Sequence, residues 1–239
     1  MPKLSHIYGS ASVVLPNPPY PKATLRVIVE AITEAWRLLR DDPQNGFILD
    51  GATEDEITLE LRNRLMDDVL DSTDFPAFTS ENFWINRESK FESFDRKHLD
   101  KMPDLHVAVR RNCSPGLRSA DGLFVECKPV GRPTPAGEDY CDKGIIRFVS
   151  GEYAWAMPHA LMVGYAASGY TIVTKLKTAL GKRKLELKLD GSLKKCCGSV
   201  AKGYAQDLHE TTHNRGFTYP QTKTTAPAIV LQHLWLDRE

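Results

Sequence analysis

The chain has no long apolar segment, which argues against a membrane-spanning helix. No apolar run in its 239 residues approaches the ~20 residues that a bilayer requires. The N-terminal stretch MPKLSHIYGSASVV has no apolar core of the kind a secretory signal carries. Lys and Arg total 31 and Asp and Glu total 31, so the formal net charge is zero and overall charge points to no particular partner. With 41% hydrophobic residues, the composition predicts a soluble globular protein, and the length suits one large domain or two small ones. The order of the predicted helices and strands favours a single domain over 1–239.

Cysteine is scarce and its spacing is uninformative. The five cysteines are odd in number, two of them are adjacent, and no C-x-x-C occurs. This pattern favours neither a disulfide framework nor a cysteine-bound zinc ion. We therefore expect reduced thiols and a cytoplasmic location. Internal repeats and low-complexity tracts are also missing from the sequence, which argues against a solenoid.

Charge is unevenly distributed along the chain. Residues 41–74 are rich in Asp and Glu, whereas residues 175–202 are rich in Lys and Arg. Two solvated faces would explain this pattern, and composition by itself favours that explanation. An acidic, metal-binding half beside a basic, phosphate-facing half would explain it as well.

The apolar periodicity predicts an α/β domain with a mixed sheet flanked by helices. Helical spacing indicates helices at 23–40 and 54–70, the second opening with a Thr53–Glu56 capping box. The stretch 151–166 is apolar almost all round and predicts a buried helix, and 180–195 predicts a basic hairpin. Alternation and short apolar runs predict strands at 82–88, 103–111, 122–130, 170–176 and 226–236.

The segment GLFVECKPV (122–130) is an apolar strand that carries two charges. Glu126 and Lys128 lie two residues apart and so point to the same face, with Cys127 on the other. An exposed edge strand would be the simplest explanation. However, Asp104 opens the preceding predicted strand, and pairing of the two strands would bring it beside Glu126. Converging carboxylates repel unless a cation lies between them, and oxygen ligands suit Mg²⁺.

This arrangement resembles the PD-(D/E)xK nuclease superfamily, which has the restriction-endonuclease-like fold. The matching residues are Pro103-Asp104 and Glu126-Cys127-Lys128, in an order of elements that covers about 50–176. In that family the two motifs lie on adjacent strands of a mixed sheet, and an acidic residue on the preceding helix often completes a metal site. The remaining residues, 177–239, would complete the domain with the basic hairpin and the last strand.

The resemblance implies a metal-dependent phosphodiester hydrolase. Asp104 and Glu126 would bind Mg²⁺ or Mn²⁺, and Lys128 would be the catalytic lysine. Glu56 is the expected third ligand, with Glu60 and Glu54 as alternatives. The resemblance also implies DNA rather than RNA as substrate, and a role in anti-phage defence or restriction. Because a free nuclease endangers its host, we expect control by a partner, a ligand or homo-oligomerisation. A catalytically silent nucleic-acid-binding or assembly subunit on the same fold is the alternative.

A second motif points to different chemistry. HETTH (209–213) matches H-E-x-x-H and resembles the zinc-peptidase motif, in which two histidines on a helix bind zinc and the glutamate is the base. Thr211 and Thr212 are β-branched, and Gly216 follows closely, so a long helix is disfavoured here. No methionine or suitably placed glutamate follows to complete either common form of such a site. Zinc hydrolysis is therefore the rival hypothesis.

Basic residues in the C-terminal third are candidates for binding nucleic acid. If 209–215 is extended, His213 and Arg215 share a face and could contact phosphate. Arg215→Ala would then weaken DNA binding and its salt dependence. The basic stretch adds further candidates that could follow a phosphate backbone, namely Lys182, Arg183 and Lys184.

Overall fold

A seven-stranded mixed sheet forms the centre of the protein. The computed structural model describes residues 14–111 and 116–239. Along the sheet the strand order is β1-β2-β3-β4-β7-β6-β5. The strands are β1 Phe83–Arg87, β2 Leu105–Val109, β3 Leu123–Val130, β4 His159–Ala166, β5 Leu189–Lys195, β6 His209–His213 and β7 Ile229–Asp237.

Parallel pairing is confined to the middle of the sheet. Strand β4 runs parallel to β3 on one side and to β7 on the other, whereas every other neighbouring pair is antiparallel. Strand β4 is therefore buried on both faces, as its almost uniformly apolar sequence requires. At one margin the register of β5 on β6 shifts between Asp190 and Lys194.

Two long helices cover one face of the sheet. Helix α1, Lys22–Asp41, stacks the Trp36 ring on Tyr165 of β4, with ring centroids 5.4 Å apart. Helix α2, Glu54–Arg64, continues as a π-helical turn, Leu65–Val69, and places Thr58 within hydrogen-bonding distance of the same tyrosine. The capping box at Thr53 is present as predicted.

Short helical segments cover the other face. A π-helical stretch, Ala136–Ile145, leads into α3, Ile146–Ser150, and places Tyr140 over β4 and β7. A second π-helical turn, Ile172–Leu176, leads into α4, Lys177–Lys182, which packs against the first stretch. Helices therefore flank a mixed sheet in a single α/β domain, as the sequence predicts. Among the residues that the structure describes, no helix is long and apolar enough to cross a membrane.

Three of the predicted elements are wrong. Instead of a buried helix over 151–166, residues 159–166 form the central strand β4, because an apolar run buried on both faces has no period that distinguishes strand from helix. Instead of a strand at 170–176, the chain is helical from Ile172 to Lys182. The predicted hairpin at 180–195 supplies only one strand, β5, whose partner is β6. One of the five cysteines, Cys113, lies outside the described residues, and the other four are free.

A directed chain of hydrogen bonds runs through the core beneath β6 and β7. His213 is buried and donates from Nδ1 to the carbonyl of Leu187 at 2.7 Å, which makes its Nε2 an acceptor. The Thr211 hydroxyl must then donate to that Nε2, at 2.7 Å, and accept from Nε2 of His233, at 2.7 Å. His233 in turn accepts at Nδ1 from the hydroxyl of Tyr140, at 3.0 Å. One backbone carbonyl thus fixes the tautomers of two neutral histidines.

Thr211 is the member of this chain whose loss affects both histidines. We expect Thr211→Val to lower the free energy of unfolding by about 2–4 kcal/mol, because two buried nitrogens lose their partner. Denaturant titration measures the change. Thr212→Val is the matched control, since Thr212 points to the opposite face of β6 and takes no part in the chain. Equal losses in the two variants would contradict the hydrogen-bond chain.

The buried histidines also predict acid sensitivity. Burial lowers the pKa of His213 and of His106 to about 4 from 6.5, and it also lowers the pKa of His233 well below 6.5. Between pH 6.5 and pH 4 these histidines bind protons in the unfolded chain but not in the folded chain. The free energy of unfolding is therefore highest above pH 6.5 and decreases as the pH falls towards 4. Each histidine adds a slope of up to about 1.4 kcal/mol per pH unit. Unfolding titrations at several pH values should show a shallower slope for His213→Gln; an unchanged slope would contradict this assignment.

Candidate active site

Strands β2 and β3 bring the predicted charged residues together. The two strands pair antiparallel, with Leu105 opposite Val125. Asp104 immediately precedes β2, and its Oδ2 accepts a hydrogen bond from the backbone N–H of Cys127 at 2.6 Å. The predicted convergence of Asp104 with Glu126 and Lys128 is therefore present. It is fixed by backbone pairing rather than by flexible side chains.

Lys128 lies among three carboxylates. Its Nζ is 3.0 Å from Oε1 of Glu126 and 3.8 Å from Oδ2 of Asp104. The third carboxylate is that of Glu54 at the start of α2, 2.5 Å away. The Lys128 side chain is only 9% exposed, so this ammonium has exchanged most of its water for carboxylate oxygens. Burial lowers its pKa, but Glu126, Asp104 and Glu54 together raise the pKa above its usual value. Lys128 is thus firmly cationic.

Glu126 is the most deeply buried of the three acids. Tyr153 donates its hydroxyl to Oε2, and Arg147 Nη1 lies 3.1 Å from Oε1. Neither Lys128 nor Arg147 meets Oε1 with the alignment of a hydrogen bond. Within the described part of the chain, this buried oxygen therefore has two close cations but no hydrogen-bond donor. Burial, reinforced by Asp104, raises the pKa of Glu126 to about 7, against the opposing effect of the two cations.

The pKa values of the other two acids, Asp104 and Glu54, are shifted in the same direction as that of Glu126. Burial raises the pKa of Asp104 and of Glu54, and the Lys128 charge opposes both shifts. Three carboxylates face two cations, Lys128 and Arg147, so one negative charge remains uncompensated when all five groups are ionised. The site is therefore suited to an additional positive charge.

Glu56, the expected third ligand, does not reach this site. Its carboxylate accepts hydrogen bonds from the backbone and hydroxyl of Thr53, at 2.8 Å each, and is exposed to solvent. The alternative Glu60 pairs with Arg64. Of the three acids considered, Glu54 is the one whose side chain reaches Lys128. Glu54 and Glu56 lie within a single turn of helix, and sequence spacing alone could not show which of them faces β3.

Arg147 and Tyr153 were missed in the sequence. Arg147 belongs to α3, and Tyr153 lies in the loop before β4, within the stretch wrongly predicted to be a helix. An apolar helix gave no reason to assign its tyrosine a polar partner. No local pattern marks either residue, because both reach Glu126 only through the packing of 146–153 over the sheet.

The structure buries His213 and Arg215, which were predicted to contact nucleic acid. His213 is completely buried in the hydrogen-bond chain, and Arg215 is only 4% exposed. The Arg215 guanidinium donates to the carbonyls of Ala154, Trp155, Met157 and Pro227 and to the hydroxyl of Tyr219. With its donors satisfied internally, Arg215 joins the loop that carries Tyr153 to the segment between β6 and β7.

This role changes the expected effect of substituting Arg215. We expect Arg215→Lys to destabilise the fold by about 2–4 kcal/mol, because an ammonium cannot reach all these acceptors and several buried carbonyls lose their donors. Thermal or denaturant unfolding measures the loss. Arg183→Lys is the control, because Arg183 is partly exposed and pairs only with Asp142, at 2.7 Å. A stable Arg215→Lys protein would refute the structural role.

The remaining predicted contacts with nucleic acid lie at the end of α4. Lys182 and Lys184 are exposed there, whereas Arg183 is half-buried in its ion pair with Asp142. Their role in binding stays a prediction.

HETTH does not form the helix that the zinc-peptidase interpretation requires. The motif is strand β6, not a helix, so Glu210 points away from the face that His209 and His213 share. Both ring nitrogens of His213 are hydrogen-bonded, and Nδ1 of His209 lies 2.8 Å from the carbonyl of Asp207. The residue types match the zinc motif, but a strand has a side-chain period of two and does not place them as a helix would.

The carboxylate cluster has the donor chemistry of a site for a hard divalent cation. Its side chains are all oxygen donors, one buried oxygen of Glu126 lacks a hydrogen-bond donor, and negative charge is in excess. Within 14–111 and 116–239, however, no three His, Cys, Asp or Glu side chains are already grouped to hold a metal ion. Instead, the Lys128 ammonium lies between the carboxylates, where a cation would bind.

Comparisons of the chain with protein-family models, with curated proteins and with solved structures found no match. The fold and the side-chain geometry therefore carry the functional argument.

Proposed function

We propose that the protein is a metal-dependent nuclease of restriction-endonuclease-like fold that hydrolyses phosphodiester bonds, with DNA as the preferred substrate. The observation that carries the proposal is the meeting of Asp104, Glu126 and Glu54 around Lys128. Two of these acids lie at adjacent strands of a mixed sheet and the third on the helix before them. This is the arrangement that the PD-(D/E)xK resemblance implies, with Glu54 in place of Glu56.

Asp104 and Glu126 would hold Mg²⁺ or Mn²⁺, with Glu54 as the third acid. When bound, the ion would supply Lewis-acid activation and neutralise charge on the scissile phosphate. Lys128 contacts the same carboxylates, so in a metal-bound site it would share them with the ion. The excess negative charge of the cluster favours binding of the ion.

Lys128 would act on the reacting groups in that metal-bound site. Its raised pKa keeps it protonated at neutral pH, so its role is to orient water and stabilise negative charge on the phosphate oxygens, not to accept a proton. Arg147 and Tyr153 would keep Glu126 oriented towards the site, since they hold both of its oxygens. Arg147 is 36% exposed and can also face an incoming phosphate.

A second candidate function is supported by the ion pairs themselves. A cluster whose negative charge is mostly balanced by Lys128 and Arg147 can serve as a purely structural element of a nucleic-acid-binding or assembly subunit. Calorimetric titration with Mn²⁺ separates the two candidates, because the structural subunit needs no ion.

Two glutamates on one helical turn provide the sharpest test of nuclease activity. We expect Glu54→Gln and Lys128→Met to reduce cleavage of supercoiled plasmid at least about 100-fold, as expected when a group acting on the transition state is lost. Glu56→Gln should cleave like the wild type, because glutamine also serves in a capping box. Gel assays with Mg²⁺, Mn²⁺ or EDTA, on supercoiled and linear DNA, give the rates.

Equal loss of activity in Glu54→Gln and Glu56→Gln would contradict the assignment of Glu54. Cleavage that persists in EDTA would contradict the metal. Absence of both cleavage and Mn²⁺ binding in the wild type would favour the structural subunit.

A further inference from the structure

A large cleft lies on the face of the sheet opposite Tyr140, away from the carboxylate cluster. It has a volume of about 920 Å³, within the usual range for small-molecule sites. Helix α1 forms one wall, the loop 196–206 forms another, and β6 and β7 form the floor. None of Glu54, Asp104, Glu126 and Lys128 contributes to its lining.

A row of three polar side chains crosses the floor of this cleft. Lys194 of β5 pairs in register with Glu210 of β6, and Glu210 pairs with Gln232 of β7. Residues directly opposite each other share a face, so all three point into the cleft. The buried side-chain oxygen of Gln232 has no hydrogen-bond partner among the residues that the structure describes. The floor therefore presents an amide and a carboxylate that are not fully satisfied by the protein.

The contacts of Glu210 support this description. Among the described residues its only hydrogen bond is a weak one, from the Cys196 thiol at 3.8 Å. It forms no ion pair with Lys194 despite their register. His159 also lines the cleft, close to Glu210. Burial lowers the pKa of His159, the Glu210 charge opposes this shift, and the Lys22 charge reinforces it. A carboxylate in this position is free to accept hydrogen bonds from a ligand.

The rim of the cleft is basic. Six Lys and Arg side chains line it against three Glu side chains. Arg26 and Arg37 are paired with neighbouring acids on α1, and Lys195 pairs with Asp207. Within the described part of the chain, no ion pair involves the other three, which are Lys22, Lys194 and Lys202. The rim thus offers positive charge that is not neutralised locally.

We propose that this cleft binds a nucleotide. Its apolar walls, which include Val29, Val230 and Leu234, would enclose the base and sugar. Glu210 and Gln232 would hydrogen-bond the edge of the base, and Lys22, Lys194 and Lys202 would hold the phosphates. A nucleotide combines a flat apolar body, a polar edge and several negative charges, which is the combination that this lining complements. The inference is independent of the nuclease proposal, because the two sites share no residue.

The test uses the fluorescent nucleotide TNP-ATP on the full chain, with unlabelled ATP, GTP, CTP, UTP and inorganic phosphate as competitors. We expect saturable binding that at least one unlabelled nucleoside triphosphate displaces and inorganic phosphate does not. Lys194→Glu should weaken binding at least about tenfold, since it reverses a charge beside the phosphates. Lys90→Glu is the matched control, because Lys90 is exposed and lies outside the cleft. Gln232→Leu should raise the concentration of unlabelled nucleotide needed for displacement, since it removes the amide that would bond the edge of the base.

Failure of this proposal is distinguishable from failure of the proposed nuclease. Asp104→Asn should bind TNP-ATP like the wild type even though it would lack cleavage activity. The nucleotide proposal is overturned if no unlabelled nucleotide displaces TNP-ATP, or if Lys194→Glu and Lys90→Glu bind equally well. Displacement by a poly-glutamate peptide but by no nucleotide would also overturn it, in favour of an acidic protein segment.

Discussion

The cluster around Lys128 is the interaction on which the functional half of the structure depends. A lysine and three carboxylates taken out of water would each be costly alone, and they are tolerated only because they compensate one another. That compensation requires the start of α2, the segment just before β2 and the middle of β3 to meet at one place. Arg147 and Tyr153 extend the requirement to the helix and loop before β4. The position of five separate segments is thus tied to the same few charges.

Polar interactions of two other kinds organise the rest of the interior. The chain from Tyr140 to His213 is satisfied only with one set of tautomers, so it selects a single arrangement of β6 against β7. Arg215 acts through backbone carbonyls rather than an opposite charge, and it fixes the loop that carries Tyr153. Packing of apolar side chains alone would allow small shifts among these elements. These directed contacts do not.

Local patterns in the sequence predicted the elements whose signals are local. The capping box at Thr53, the alternation around Val107 and the charged pair on β3 each depend on residues within one turn or strand, and the structure confirms them. Strand β4 and the segment 172–182 were mispredicted because their environment, buried on both faces or packed on a neighbouring helix, overrides their local period. The choice between Glu54 and Glu56 and the contributions of Arg147 and Tyr153 depend on packing between distant segments. The HETTH motif also depends on structure that the local sequence does not determine. Its spacing would bring two histidines together on a helix, but it has no such meaning on a strand.

The margins of the sheet have a consequence for self-association. An outer strand with free N–H and C=O groups can recruit a strand from another molecule unless something interrupts it. The irregular register of β5 between Asp190 and Lys194 breaks the straight row of such groups, and Gly191 adopts a positive φ of 81° within it. Lys194 and Lys195 then place two like charges where a second copy would have to align its own. The edge strand β5 is therefore protected against pairing with a strand of another molecule. The two lysines that provide this protection remain exposed to solvent.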